Sequence, residues 1–341
     1  MNETLKLFRE LTSVPTAPYY EEAVTRKALG WIKKNLKGVS VKRKRGGVIV
    51  SYTGKPGHPA LVMAGHLDHP AFHLKGGKAK MYGRLDSKKV PGFRIEAFPA
   101  VPKDNTPLAV GVLGQGKDDL FEVRWDKKPA TAAFATLALT PFKIEGKWLL
   151  SRSIDDLLGC AVSLVALKRS LGKQTNVTVL LHRAEEVGFM GALDLIHEGA
   201  VSKDDTILSI ETSHRLPGAM PGKGPVIRLG DRASLFDPNV AALLDETKVK
   251  AQRLRLTGGT CEATAYLANG YESGGVAIPL VNYHNGLMDK AIAAEKVALS
   301  DVDGAVELLA AAAALFGTKN MRGVMRRRLT KLHADNAARL R

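Results

Sequence analysis

The chain has 341 residues, with 50 Lys and Arg against 34 Asp and Glu, and a formal charge of +16. Hydrophobic residues make up 45%, which excludes a disordered composition, and the length carries a soft expectation of about two domains. No apolar run approaches the roughly 18 residues of a membrane span; the opening MNETLKLFREL lacks an apolar leader core, and two cysteines, Cys160 and Cys261, predict a reducing cytoplasm.

In chain order, Leu5, Phe8 and Leu11 recur at helical spacing, as do Val24, Leu29, Ile32 and Leu36 in the following segment. Gly47 to Tyr52 reads as a strand, and Ala60 to Ala64 as a short buried strand closed by Gly65-His66. From about His69 the texture changes to short segments, such as Leu108 to Leu113 and Phe121 to Trp125, broken by Gly, Pro, Lys and Asp. This predicts a small β-rich module over 69–150 inserted into a larger unit formed by 1–68 and 151–341. A helix is expected after Asp155-Asp156, a strand at Val177 to His182, a helix at Gly191 to Glu198 and a strand at Thr206 to Ile210. Gly275 to Val281 reads as another strand, followed by a helix at Ala305 to Phe316 and a basic segment from Arg322 onward. The alternation favours an α/β sandwich with a largely parallel sheet.

Four apolar strand candidates end in groups able to bind a metal: His66, Glu185-Glu186, Glu211 and His284. Asp155 stands at a helix start. In open α/β sheets, sites form beyond the carboxyl ends of strands. Each residue alone has a plainer reading as a surface histidine, a solvated acid or an N-cap; the recurrence at five places is what points to a site. Adjacent side chains on a strand face opposite ways. Glu185 and Glu186 can therefore share one site only where the backbone turns, and Val187-Gly188 follows at once. One glutamate could then hold a metal while the other takes a proton from water, with Asp155 as the carboxylate bridging two ions.

These residues, with their neighbours Gly65-His66-Leu67-Asp68, Ser153-Ile154-Asp155-Asp156, Ala184-Glu185-Glu186-Val187-Gly188, Gly258-Gly259-Thr260 and Tyr283-His284, occur in the order seen in the tetrahedral (TET) and deblocking aminopeptidases, which the chain resembles to about residue 300. The resemblance implies a three-layer zinc-exopeptidase-like sandwich whose inserted barrel-like domain serves oligomerisation and substrate access. It implies two divalent ions per subunit, zinc first, cobalt or manganese as alternatives. His66, Asp155, Glu186, Glu211 and His284 would be the ligands, with Asp155 bridging. Glu185 would be the general base, and Asp68 would orient His66. Peptides would be the substrates, and dimers would build twelve-subunit tetrahedral shells. The sequence departs from the family pattern at His69-Pro70, at Glu211 in place of an Asp, and at Cys261-Glu262 after the Gly-Gly-Thr.

Other readings start from the same residues. The same site could serve a deacylase or amidohydrolase acting on acylated amino acids, or survive in a non-catalytic scaffold. The charge invites a nucleic-acid partner, but residues 58–316 hold 30 basic and 29 acidic residues, so the excess belongs to the two ends. Lys42 to Arg45 read as a charged strand edge. Met321, Val324, Met325, Leu329 and Leu332 predict a terminal helix packed on its own domain, so neither nucleic acid nor membrane is the expected partner.

Overall fold

A computed structural model describes residues 1–287, 289–318 and 324–339. Helices α1 (Glu3–Leu11) and α2 (Glu22–Asn35) lead into strands β1 (Val39–Lys44), β2 (Gly47–Thr53) and β3 (Leu61–His66). The chain then builds a closed six-stranded barrel from β4 (Ala71–Lys75), β5 (Lys78–Tyr82), β6 (Arg94–Phe98), β7 (Ala109–Lys117), β8 (Leu120–Trp125) and β9 (Phe134–Leu137). Phe72, Met81, Ile95, Leu113 and Phe121 fill it. After β10 (Lys143–Glu145) and β11 (Trp148–Ser151) come α3 (Leu157–Ser170), β12 (Asn176–His182), α4 (Met190–His197) and β13 (Thr206–His214). The remainder comprises β14 (Val226–Gly230), α5 (Pro238–Glu246), β15 (Gln252–Arg255), α6 (Glu262–Ala268), β16 (Glu272–Leu280), the distorted turn α7 (Tyr283–Gly286), β17 (Glu295–Ala298), α8 (Leu299–Thr318) and α9 (Val324–Asn336).

Eight strands form one mixed sheet in the order β1-β2-β12-β3-β13-β16-β14-β15, with its four central strands parallel. The strand period of two explains the layers. Leu61 and Met63 of β3 join the core made with α1, α2, α3, α5 and α8, whereas Val62 and Ala64 join the core made with α4 and α6. Helices therefore cover both faces in three layers. Helix α3 is buried on almost every side up to Leu167, which its predominantly apolar run LLGCAVSLVAL permits, and its charged residues Lys168 and Arg169 fall in the last turn.

The expected elements are present with shifted limits, and three differences matter. Strand β13 runs past Ile210 to His214, so Glu211 lies within a strand. Lys143 to Ser151 belong to a three-stranded sheet, β10-β11-β17, outside the barrel. The predicted packing face of the terminal helix is overturned: Leu329 and Leu332 of α9 are 55% and 57% exposed. Helical spacing alone cannot distinguish a buried stripe from an unpartnered one. Met321 lies outside the described residues, as do the side chains of Val324 and Met325. Among the described residues, no helix is long and apolar enough to cross a membrane.

Candidate metal centre

The parallel strands deliver their carboxyl ends to one place. His66 is the last residue of β3, in register with His182, the last of β12; Glu185 and Glu186 follow three and four residues later. Ala184 has a left-handed backbone (φ 52°), the turn that two adjacent inward-facing glutamates require. Asp155 sits between β11 and α3, and His284, also left-handed at φ 47°, lies just beyond β16.

Three groups of donor atoms converge, each within 4.8 Å: His66–Asp155–Glu211, Asp155–Glu186–His284 and His66–Glu185–Glu186. The first two share Asp155. His66 Nδ1 donates to the carbonyl of Asp68 at 3.2 Å, leaving Nε2 to face Glu185 at 3.7 Å and Asp155 at 3.8 Å. His284 is oriented in the same way. Its Nδ1 donates to the carbonyl of Arg84 at 2.8 Å, so Nε2 meets Asp155 at 3.2 Å and Glu186 at 3.0 Å. Fixing one ring nitrogen as the donor presents the lone pair of the other, as metal-binding histidines require. Arg84 and Lys89 both lie between β5 and β6 of the barrel, and Lys89 Nζ reaches the carbonyls of Gly286 and Asp289 at 3.0 and 2.6 Å.

Supporting groups surround the donors. Asp68 accepts from the backbone amides of Glu185 and Glu186, and Thr212 donates to Asp155 at 3.0 Å. His69, at a position where the sequence departs from the family pattern, contacts the Asp155 carbonyl through Nδ1 at 2.6 Å and the Asn285 side chain through Nε2 at 3.1 Å. Behind the site His182 is buried against Glu262 and Tyr266, a paired arrangement that the sequence did not reveal.

Electrostatics favour a cation. Burial pushes Glu185 and Asp156 well above the usual carboxylate range and Glu211 up to about 8, with neighbouring acids adding to the effect. Burial alone would depress His66 and His284, but Glu185 and Asp68 raise the first well above its ordinary value, and Glu186 and Asp155 do the same for the second. The metal-free site therefore gathers protons. The donor set fits divalent ions, which would displace them. Oε1 of Glu186 is buried without a well-formed hydrogen bond although an imidazole nitrogen lies 3.0 Å away, a convergence that suits a shared cation.

A pocket of about 250 Å³ opens beside Glu211, lined by Leu216, Arg228, Leu256, Gly258–Thr260 and Tyr283. Arg228 is only 4% exposed, and its Nε has no hydrogen-bond partner among the described residues. The sequence offered no signal for Arg228 or for the buried Glu295, both of which lie outside the strand-end pattern.

The fold is that of the TET aminopeptidases. The TET aminopeptidase of Thaumarchaeota archaeon SCGC AB-539-E09 superposes with a TM-score of 0.75 at 18% identity, covering 92% of this chain and 97% of that one. An aminopeptidase from Desulfurococcus kamchatkensis gives 0.75 at 21%, covering 94% and 96%. The TET1 peptidase of Pyrococcus horikoshii, which can assemble into a tetrahedron or a large octahedral shell, gives 0.72 at 20%, covering 91% and 99%. Residues 130–307 match the M42 glutamyl aminopeptidase family, and the chain belongs to that family of peptidases. Relatives by sequence include an aminopeptidase-family protein of Acetivibrio thermocellus, 26% identical over 176 residues, 49% of this chain. A glutamyl aminopeptidase of Lactococcus lactis is 25% identical over 267 residues, 66% of this chain. The matches span 51% of the first relative's length and 74% of the second's.

Proposed function

We propose that this chain is a divalent-metal-dependent aminopeptidase that removes N-terminal residues from peptides. The observation carrying this reading is the pair of donor sets that share Asp155. Imidazole and carboxylate donors suit zinc, with cobalt or manganese as substitutes. Held by these donors, divalent ions would lower the pKa of a bound water and polarise the scissile carbonyl. Glu185 takes a proton from the attacking water and returns it to the leaving amine. Asp68 holds the backbone of Glu185 and Glu186 in place, and Thr212 steadies Asp155.

The pocket beside Glu211 receives the side chain of the N-terminal residue. Arg228, a nearly buried cation with an unused donor, favours an acidic side chain there, in keeping with the glutamyl aminopeptidase of Lactococcus lactis. Self-association is part of the reading, supported by the Pyrococcus horikoshii relative, which can assemble into a tetrahedron or a large octahedral shell. The deciding experiment assays metal-stripped protein, reloaded with zinc, cobalt or manganese, against aminoacyl amides, short peptides and their N-acylated forms. Metal-restored hydrolysis confined to free N-termini supports the reading. Hydrolysis of the acylated set alone replaces it with a deacylase, and no hydrolysis with any metal replaces it with a scaffold.

A further inference from the structure

We infer that Glu295 is a positioning residue that sets the spacing between the Asp155 and His284 donors; the inference rests on the metal-centre reading above. Its carboxylate is fully buried and divides its two oxygens between two distant segments. Oε2 accepts from the amides of Ile154 and Asp155 at 2.7 and 3.0 Å, and Oε1 accepts from the amide of His284 at 3.0 Å.

The topology explains the reach. Glu295 opens β17, which pairs on one side with β11, the strand leading to Asp155, with Ser151 opposite Glu295. On its other side Lys296 bridges Val281, the residue after β16 on the way to His284. One rigid carboxylate therefore spans the two chain segments whose side chains meet at 3.2 Å through Asp155 Oδ2 and His284 Nε2. Asp155 has further anchors in His69 and Thr212. The left-handed backbone at His284 receives its amide bond from Glu295. Loss of the clamp falls first on the donor set containing His284.

A merely structural carboxylate supplies the control. Asp301 is fully buried and accepts from the amides of Gly222 and Gly224 at 2.6 and 2.8 Å, but its bonds reach none of the donors. The experiment titrates zinc into wild-type, E295Q, E295D, D301N, H284A and E295Q/H284A proteins against a competing chelator, with thermal melting alongside. In E295Q one of the two ions should bind about 10–100-fold more weakly than in wild type. The other should stay within a few-fold of it, and E295Q/H284A should bind no more weakly than H284A. D301N should lose melting temperature and keep both affinities. E295D keeps the carboxyl group but withdraws it by one methylene; it should weaken the same ion, and it carries the test should E295Q fail to fold. Wild-type affinities in both Glu295 variants, or equal weakening of both ions, would overturn the assignment. A wild-type protein that binds no zinc instead sinks the metal-centre reading itself, a separate and distinguishable result.

Discussion

Asp68 holds Glu185 by its backbone: Oδ1 accepts the Glu185 amide at 2.9 Å, Oδ2 accepts the Glu186 amide at 3.1 Å, and Oδ1 lies 3.5 Å from Nδ1 of His66. One carboxylate thus orients the proposed base, one proposed ligand and the imidazole of another. Asp68→Asn replaces one acceptor oxygen with a donor aimed at an amide. The variant should bind zinc about 10–100-fold more weakly and lose turnover with it, as read by chelator competition beside steady-state kinetics. Unchanged affinity and kcat would remove Asp68 from the site's architecture.

Glu185→Gln preserves shape and hydrogen bonding but cannot accept a proton. It should retain wild-type metal content while kcat falls by about 10²–10⁴-fold. Metal analysis of the purified variant, with kinetics on the best substrate, separates this role from ligation; normal turnover would assign the base elsewhere.

Stability of the metal-free protein should fall as pH rises. Burial raises Glu211 from its ordinary value to about 8 and pushes Glu185 and Asp156 upward, while nearby carboxylates raise His66 and His284. Raised folded-state pKa values mean that the folded protein holds these protons more tightly than the unfolded chain. Their contribution is full below the unfolded values, near pH 4.5 for Glu211, and is lost as pH climbs through about 8. Calorimetry of chelator-treated protein from pH 5 to 9 should show a declining melting temperature, and zinc should restore most of it at the alkaline end. A melting temperature that rises with pH would contradict the buried, proton-gathering site.

Arg228→Ala should lower kcat/KM for glutamyl and aspartyl substrates by about 10–100-fold, the scale of a lost charge-assisted contact. Leucyl substrates should change little. Equal losses on both would make Arg228 a countercharge for Glu211 instead of a selector.

Gly159→Ala tests the packing under the site. A Cβ there would lie 2.3 Å from Oδ1 of Asp156, and one at Gly65 would lie 2.6 Å from Oδ2. Two glycines thus make room for one buried carboxylate. The alanine should cost about 1–3 kcal/mol in chemical denaturation, the usual scale of overpacking. A neutral result would show that Asp156 can move aside.

The candidate donors were legible because a polar or charged group that closes an apolar run breaks the burial pattern, as His66 does after Ala60 to Gly65 and Glu211 after Thr206 to Ile210. The sheet was legible through runs such as Leu61 to Ala64, whose side chains divide between two cores. Helix α5 carried a readable start in Asp237-Pro238, with the Asp237 side chain capping Asn239, yet its short apolar pattern gave no period to follow. Glu295 and Arg228 were not legible, because a buried polar side chain acquires meaning only from partners that folding brings near. Leu329 and Leu332 show the reverse error, a clean helical spacing whose described apolar side chains stand more than half exposed.

The carbonyl that sets the ring of His284 belongs to Arg84, in the barrel segment, and Lys89 of the same segment grips the loop that follows His284. The sandwich therefore does not orient all of the proposed ligands by itself. One of the three donors in the Asp155–Glu186–His284 set takes its bearing from the barrel module. Any shift of the segment 84–89 against the sandwich would reach the imidazole of His284 directly, through a single carbonyl.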